Sequence, residues 1–377
     1  MKKEIIDILK CPVTGSALRL ATDDELKKLN VQIEKEELIF SDGTAVLKQV
    51  EIALVSEEGN YHYLIIDEVI MLRKDKAIQI DRKSKNVDLR SEKRDVENFY
   101  DNVGWKLFDD EHFVDAEKFE DLRPVAFEYF TECNNRVKKY IQQKGKFILD
   151  AGSGPIQYDG YLVYSEDYEY RICVDLSFQS LKEAKKKLGS KGIYILGDIT
   201  NLPLKDNVLD AAVALNAIYH IPMDEQSKAL NEINRALKPG STAAIVYTWG
   251  DKYSLFMNLA LIYIKIWMAF QKIGRILKKI LIKTKLLSQK STEGDEPVLY
   301  FHAFPYGYFK NTNWDFELDI YVWRSISVPF SKIYIHPWLC GKRLLKCIYK
   351  WEDKHPKTAG KYGQYPLLVM TKPINKK

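Results

Sequence analysis

The chain has 377 residues, of which 46% are hydrophobic and 29% charged, with a formal net charge of +5. This composition is typical of a folded protein with a sizeable core and excludes disordered, collagen-like and disulfide-scaffold classes. The length predicts two or three domains. Residues 251–290 contain nine Lys/Arg and one acid, a net of +8 that leaves −3 for the rest, so the chain as a whole is not expected to bind polyanions.

No CxxC spacing occurs among the five cysteines, which are Cys11, Cys133, Cys173, Cys340 and Cys347. An odd number without a disulfide or metal pattern predicts reduced thiols in a cytoplasmic protein. Near the start, Glu4 and Asp7 interrupt the apolar core that a signal peptide needs, so secretion is not expected.

Residues 1–80 begin with a helical pattern and continue with short apolar runs at 37–40 and 63–71, which predicts a small α+β module. Residues 81–95 are rich in Lys, Arg, Asp and Ser and form the expected linker. Helical spacing of apolar residues returns over 96–143.

A core domain is expected over 96–250, because short apolar runs alternate there with amphipathic segments. The apolar runs are 147–149, 170–174, 193–196, 211–215 and 243–247, and the clearest helical patterns between them are 180–188 and 224–237. This alternation predicts an α/β fold with a doubly wound parallel sheet that is covered on both faces.

An insert is expected over 251–292, and the C-terminal region 293–377 is expected to complete the sheet. That region shows strand patterns at 316–325 and 366–371 and a helical pattern at 342–352.

A glycine turn follows the first strand of the core, where residues 150–155 read DAGSGP. Glycines directly after a buried strand allow a tight turn and let a ligand approach the backbone. Ile156 and Gln157 follow instead of the third glycine of a dinucleotide fingerprint. The turn therefore predicts a ligand site, although alone it is weak support for any particular ligand.

Polar side chains also end the next three strands, at Asp175, Asp198 and Asn216. The carboxyl ends of parallel strands meet at one edge of a sheet, where α/β proteins bind ligands. An acid about 20 residues after a glycine turn can accept both hydroxyls of a ribose. These strand ends therefore predict one site at one edge.

Together the motifs resemble class I S-adenosylmethionine-dependent methyltransferases of the type 11-like group, which carry D-x-G-x-G-P, an acidic second strand end, G-D-x-x-x-L-P and L-K-P-G. The matching positions are 150–155, Asp175, 197–203 and 237–240. The resemblance covers about residues 99–247. It implies a Rossmann-like, seven-stranded methyltransferase sheet and S-adenosyl-L-methionine as the cofactor.

By position, the resemblance implies the cofactor contacts. Gly152 and Gly154 would line the methionine moiety and Asp175 would bind the ribose hydroxyls. Asp198 would contact the adenine amino group, with Ile199 packed on the ring. The other residues implied to contact the cofactor are Tyr100, Asp150, Ser153, Leu176 and Asn216. Many relatives have a glycine or another small residue at the position of Ile156, so the shape of the methionine-carboxylate pocket is expected to differ here.

Methyl transfer needs donor and acceptor held in line, with a general base only where the acceptor keeps its proton. His220 follows the fourth strand and is the candidate catalytic residue nearest the methyl group, with helix capping or packing as the alternative. His302 and Tyr306 lie in an aromatic segment that could line an acceptor pocket or pack in the core.

Residues 5–15, IIDILKCPVTG, are similar to the start of a zinc-ribbon family that activates tRNA, rRNA and protein methyltransferases. That family continues Cys-Pro-x-Cys, whereas Thr14 stands here in place of the second cysteine. Because one thiolate cannot hold a tetrahedral zinc, no metal is expected, and the resemblance implies a degenerate accessory module for docking or stabilisation.

Residues 254–270 are apolar but shorter than the roughly 20 residues that span a bilayer. The next segment alternates an apolar helical face with a basic one; the apolar side is Ile273, Ile276, Leu277 and Ile280, and the basic side is Lys272, Arg275, Lys279 and Lys283. This pattern over 254–290 predicts a helix at an anionic membrane surface, with a lid or dimerisation helix and an RNA contact as alternatives.

The expected activity is S-adenosylmethionine-dependent methyl transfer to an O or N atom of a small or lipid-like acceptor. The expected location is the cytoplasm, with peripheral contact at the inner membrane face. The alternatives are a tRNA or rRNA methyltransferase, which the N-terminal resemblance suggests, and a non-catalytic cofactor-binding scaffold at a membrane.

Overall fold

The computed structural model describes residues 1–79, 87–108, 113–250, 254–263, 266, 270 and 299–374. The strands are β1 (Leu18–Leu20), β2 (Ala53–Ser56), β3 (His62–Ile66), β4 (Val69–Ile70), β5 (Gly145–Ala151), β6 (Tyr168–Asp175), β7 (Gly192–Leu196), β8 (Leu209–Leu215), β9 (Leu237–Val246), β10 (Glu317–Arg324) and β11 (Tyr365–Thr371). The α-helices are α1 (Lys3–Ile6), α2 (Asp23–Glu34), α3 (Ser91–Phe99), α4 (Val114–Phe119), α5 (Pro124–Lys138), α6 (Phe178–Leu188), α7 (Gln226–Ala236), α8 (Leu255–Ala260), α9 (Tyr306–Asn311), α10 (Val328–Tyr334), α11 (Gly341–Lys354) and α12 (Pro356–Tyr362).

The described strands form one sheet in the order β1-β2-β3-β4-β7-β6-β5-β8-β9-β11-β10. Neighbouring strands from β7 to β9 are parallel, whereas β11 is antiparallel to both β9 and β10. These last seven strands are the predicted Rossmann-like, doubly wound sheet, and the prediction of the fold is confirmed. The order reverses between β5 and β8, which places the crevice for a ligand at the carboxyl ends of these two strands.

The parallel strands are apolar on both sides because helices cover both faces of the sheet. Ile148 and Leu149 are adjacent on β5 and fully buried, yet they belong to two different apolar clusters. Successive side chains of a strand point to opposite faces, so the two clusters are the cores on the two sides of the sheet. This is the burial that the continuous apolar runs predicted.

The N-terminal strands extend the same sheet. Strand β4 pairs in parallel with β7, with Val69 opposite Tyr194 and Ile70 opposite Ile195. Residues 8–10 also bond to the segment after β7: the Lys205 amide donates to Ile8 O at 2.8 Å, and the Lys10 amide to Pro203 O at 3.0 Å. The predicted α+β module therefore packs directly on the core through backbone hydrogen bonds.

One detail differs from the simple sequence picture of this module. Helix α3 begins at Ser91, so the end of the expected linker 81–95 is helical, because Val96 and Phe99 are buried and fix the helix against the core. Cys11, the remaining zinc-ligand position, is fully buried and lies 3.0 Å from the Tyr63 hydroxyl. Among the described residues, no group of three or more His, Cys, Asp or Glu side chains is placed to hold a metal.

Only part of the expected insert falls within the described residues. These include α8, where the Ser254 hydroxyl accepts from the Met257 amide at 3.4 Å and starts the helix. The predicted basic amphipathic segment at 272–283 lies outside the described residues. No helix in the described ranges is long and apolar enough to cross a bilayer.

Candidate functional site

A cavity of about 540 Å³ runs along the carboxyl edge of the parallel strands. Its lining includes one residue at or next to the end of each strand, in the sheet order β7, β6, β5, β8, β9 and β11; these residues are Asp198, Asp175, Gly152, Asn216, Thr248 and Gln364. The cavity therefore crosses the topological switch point between β5 and β8, where such folds bind ligands.

The glycine turn after β5 fits closely beneath this cavity. Gly152 has φ +70°, and a Cβ there would lie 2.4 Å from the Ala217 Cβ. Gly154 has φ +54°, and a Cβ there would lie 3.0 Å from the Trp105 ring. Only glycine adopts these backbone angles without strain and leaves this space. Ile156, where the sequence departs from many relatives, is fully buried at φ +55°, a strained conformation for a β-branched residue.

Asp175 lines the cavity at the end of β6. Its Oδ2 accepts from the Gly154 amide at 2.9 Å and its Oδ1 from the Ser177 amide at 2.9 Å. Burial raises the pKa of Asp175 to about 6, against the opposing effect of these backbone donors. Because each carboxylate oxygen can accept more than one hydrogen bond, both oxygens keep acceptor capacity for a ligand.

Asp198 is held by a lysine that the sequence analysis missed. Lys93 on α3 is 5% exposed, and its Nζ lies 2.6 Å from Asp198 Oδ2 and 2.8 Å from Thr200 Oγ1. Asp198 Oδ1 accepts from the Thr200 amide and hydroxyl, each at 2.8 Å. Lys93 precedes Asp198 by 105 residues, so no local spacing pointed to this pair.

Aromatic rings cover the glycine turn. Tyr100 begins a π-helical turn after α3 and stacks on Trp105 at 4.7 Å between ring centroids. The Tyr100 ring also meets the edge of His220 at 6.2 Å. Burial raises the pKa of Tyr100 well above its usual value, so its hydroxyl stays neutral. The faces of such rings attract cations, which suits a positively charged ligand.

His220 lines the cavity, as its predicted role requires. Its Nδ1 lies 2.8 Å from the Tyr300 carbonyl, so Nδ1–H donates there and Nε2 is left as the acceptor nitrogen. Burial lowers the pKa of His220 to about 4, so the ring is neutral near pH 7. It can accept a hydrogen bond from a ligand, although it is a weak base.

Two further carboxyl groups reach the cavity from the segment around α4 and were not anticipated. Asp115 accepts from Gln157 Nε2 at 3.2 Å, and burial raises its pKa to about 7. Glu120 pairs with Arg324 at 3.0 Å, and burial raises its pKa as well. Their sequence neighbourhood contains no recognisable motif, because tertiary packing alone brings α4 to the cavity.

Most of the residues predicted to contact the cofactor share this cavity: Tyr100, Gly152, Ser153, Gly154, Asp175, Leu176, Asp198, Ile199 and Asn216. Asp150 does not line it. That side chain is 2% exposed on β5, and its Oδ2 lies 2.5 Å from the Arg171 guanidinium. The placement gives Asp150 a buried ion pair under the turn rather than a position on the cavity wall.

The two aromatic-segment candidates also lie off the cavity lining. The His302 ring packs edge-on against Phe304 at 4.8 Å, and its backbone amide donates to Tyr219 O at 2.8 Å. The Tyr306 ring meets Trp249 at 6.1 Å, and Lys361 lies 5.3 Å from its centroid. From the same aromatic segment, Phe301 reaches the cavity.

The parallel sheet, the glycine turn at its switch point and the acidic end of β6 define a Rossmann-like protein that binds a nucleoside-containing cofactor. Residues 149–245 match the family described as methyltransferase domain. This part of the chain is therefore a methyltransferase domain whose cofactor is S-adenosyl-L-methionine. The predicted enzyme class and the predicted cofactor are both confirmed.

Three relatives show how far the likeness extends. The chain is 31% identical to an uncharacterized protein of Methanocaldococcus jannaschii, over 38% of this chain and 57% of that protein. It is 33% identical to an uncharacterized methyltransferase of Bacillus subtilis, over 27% of this chain and 56% of that protein. It is 32% identical to a sterol 24-C-methyltransferase of Schizosaccharomyces pombe, over 41% and 42%. The chain thus spans about half the length of these relatives.

Proposed function

We propose that this protein transfers the methyl group of S-adenosylmethionine to an O or N atom of a small or lipid-like acceptor. The charge of the cavity supports a cationic donor. Of the five carboxyl side chains in its described lining, Glu97, Glu120 and Asp198 are paired with Arg73, Arg324 and Lys93. The other two, Asp115 and Asp175, have no cationic partner among the described residues. A sulfonium cofactor would relieve part of this negative charge on binding.

The observation that carries the proposal is the position of Asp175. Two backbone amides at 2.9 Å fix its carboxylate at the cavity wall beside the glycine turn. In this placement Asp175 would hold the ribose hydroxyls, Asp198 and Ile199 the adenine, and Gly152 and Gly154 the methionine moiety. Ala217 and Trp105 pack against these two glycines and hold the turn where it lines the cavity.

The bound cofactor supplies an activated methyl group. The protein therefore has to position donor and acceptor in line, exclude water and, where the acceptor keeps its proton, accept that proton. Tyr100 and Trp105 would hold the cationic end of the donor with their ring faces. Where the acceptor keeps its proton, Asp115 is the better candidate for the general base, because its pKa of about 7 lies close to neutral pH. His220 would orient the acceptor through Nε2, since its pKa of about 4 makes it a weak base.

A small or lipid-like acceptor is favoured by the apolar part of the cavity. Leu299, Phe301, Tyr219 and Tyr365 line it beyond the glycine turn. A relative named as a sterol 24-C-methyltransferase is consistent with an apolar acceptor. Such rings and aliphatic groups bind an apolar body and keep water away from the methyl group.

The experiment is transfer of tritium from methyl-labelled S-adenosylmethionine to fractions of a cell extract. The wild type is expected to label a solvent-extractable or small-molecule fraction, and Asp175→Ala to abolish the label. Label confined to RNA would replace the acceptor class with the nucleic-acid alternative. Absence of label from all fractions, or label that survives Asp175→Ala, would contradict the proposed function.

We also propose a contact with a membrane surface, because several large apolar side chains are exposed among the described residues between 254 and 270. Leu255, Leu259, Ile262, Ile266 and Phe270 are 48%, 64%, 57%, 54% and 68% exposed. Adjacent exposed apolar groups of this kind mark interaction sites, and the basic residues that follow in the sequence favour anionic lipid.

Flotation with vesicles of anionic or neutral phosphatidyl lipids tests this contact. We expect flotation with anionic vesicles that is lost in Leu259→Ser/Ile262→Ser and kept in Leu47→Ser, whose side chain is 82% exposed in the N-terminal module. Failure of the wild type to float with anionic vesicles would contradict it.

A further inference from the structure

We propose that Thr248 and Gln364 form the subsite that recognises the acceptor, and that the group they recognise is a neutral hydroxyl or primary amide. This inference rests on the proposed function and narrows its acceptor. Neither residue carries a motif that the sequence analysis identified, and both lie on the cavity lining.

The order of the strands separates this subsite from the cofactor. Neighbouring strands lie about 4.8 Å apart, so the strand ends form a row along the cavity. The residues expected to hold the cofactor end β7, β6, β5 and β8, whereas Thr248 follows β9 and Gln364 precedes β11. The acceptor is therefore expected at the other end of the row, beside β9 and β11.

The hydrogen bonds at this end are incomplete. Thr248 and Gln364 are 4% and 3% exposed. Thr248 Oγ1 accepts from the Gly250 amide at 3.1 Å and from Gln364 Nε2 at 3.3 Å, which leaves its own proton available as a donor. Gln364 Oε1 is buried without a hydrogen-bond partner among the described residues. A buried polar atom without a hydrogen-bond partner is unfavourable, so a ligand group that reaches Gln364 Oε1 and donates to it would be favoured.

The chemistry of the two atoms selects the ligand group. A ligand that satisfies both must accept from the Thr248 hydroxyl and donate to Gln364 Oε1. An alcohol and a primary amide do both, whereas a carboxylate or phosphate only accepts and an ammonium only donates.

Charge near the subsite favours the same choice. The Glu120 carboxylate is paired with Arg324 at 3.0 Å, and the Arg324 guanidinium lies 4.4 Å from the Tyr365 ring centroid. Within the described lining, the one ammonium group is that of Lys93, which is bonded to Asp198 at 2.6 Å at the opposite end of the row. Among the described lining residues, none supplies a counter-charge for an anionic acceptor at Thr248 and Gln364.

The test measures binding of four eight-carbon probes to the full chain loaded with S-adenosylhomocysteine, by ligand-observed NMR. The probes are 1-octanol, octanamide, octanoate and octylamine. We expect 1-octanol and octanamide to bind the wild type better than the two ions. Thr248→Val and Gln364→Met should each weaken this binding roughly tenfold, which is the usual effect of losing one hydrogen bond in a buried site.

Controls separate a lost contact from a damaged fold. Thr248→Ser keeps the hydroxyl and should bind like the wild type, as should Thr242→Val, which makes the same substitution on β9 outside the cavity lining. Affinity for S-adenosylhomocysteine should be unchanged in all four variants.

Three results would overturn the inference: neither neutral probe binds, binding is unchanged in both Thr248→Val and Gln364→Met, or an ion binds as well as 1-octanol and depends on the same residues. If the wild type fails to bind S-adenosylhomocysteine, the proposed function fails, which is a distinguishable outcome.

Discussion

Asp175→Asn keeps the volume of the side chain but removes the charge that would hold the ribose. In the wild type, each carboxylate oxygen already accepts one backbone amide at 2.9 Å, from Gly154 and from Ser177. Each oxygen then has acceptor capacity for one ribose hydroxyl. An asparagine has only one acceptor atom, so its NH2 group would meet the backbone N–H of either Gly154 or Ser177 donor to donor, and the ribose hydroxyl on that side would lose its acceptor.

The size of the effect follows from this geometry. One charge-assisted hydrogen bond to the ribose is lost and the other becomes neutral, which together amount to about 3 kcal/mol, or roughly a 100-fold higher Kd. Isothermal titration calorimetry with S-adenosylmethionine at pH 8 measures this directly. Asp167→Asn is the matched control, because that side chain is 61% exposed before β6.

The pKa of about 6 adds a pH signature. Burial favours the protonated form of Asp175 in the free protein, and only the ionised form accepts from both hydroxyls. Affinity of the wild type should therefore fall as the pH drops through 6, by about tenfold from pH 8 to pH 5, since one pKa unit corresponds to a factor of ten. Asp175→Asn should lack this step. A Kd for Asp175→Asn within threefold of the wild type would refute the reasoning.

Three further predictions concern residues around the site. Trp105→Ala should raise the Kd for S-adenosylmethionine in calorimetry by roughly tenfold, because the ring over Gly154 is lost. Phe108→Ala, at a 58% exposed position, should leave the Kd unchanged, and an equal effect of the two variants would contradict this prediction. Arg73→Met should lower the free energy of unfolding in urea by about 3–5 kcal/mol, because Asp75 at 2.7 Å and Glu97 at 3.1 Å lose their buried counter-charge. Arg90→Met, which breaks the exposed ion pairs with Glu92 and Asp224, should have a much smaller effect, and an equally small loss at Arg73 would be the contrary result. The pKa of Asp115 is about 7 in the folded protein, above its value in the unfolded chain, so the free energy of unfolding should fall as the pH rises from about 4 to 7 and stay level above pH 7. Asp115→Asn should remove this fall. An unchanged pH profile of urea unfolding in Asp115→Asn would show that burial of Asp115 does not cause it.

The strands of the core were predictable because their physical signal is local. The apolar run at 147–149 is the buried centre of β5, and the glycine turn that follows is contiguous in sequence. Asp175 was readable for the same reason, since it ends a buried strand at a fixed distance from the turn. Such features depend on burial and backbone angles within a few residues.

The continuation of the sheet into the N-terminal module had no comparable signal. Strand β4 has two residues, and its partner β7 lies more than a hundred residues later. The motif position of Asp150 predicts a ligand contact, whereas the structure places its carboxylate against Arg171, a partner 21 residues later that no local pattern indicates.

The remaining site residues come from elements that only tertiary packing brings together. Lys93 and Asp115 lie on helices before the core, and Thr248 and Gln364 meet because β11 pairs with β9. None of these positions differs from an ordinary surface or turn residue in sequence. Their function becomes visible only through burial, the Lys93–Asp198 contact at 2.6 Å and the unpartnered Gln364 Oε1.

The most direct measurement of the central claim is a crystal structure of the chain with S-adenosylhomocysteine. We expect the ribose hydroxyls within hydrogen-bond distance of both Asp175 oxygens, the adenine beside Asp198 and Ile199, and the sulfur facing the β9 and β11 end of the cavity, where Thr248 and Gln364 lie. A cofactor bound elsewhere, or a ribose that does not contact Asp175, would contradict it.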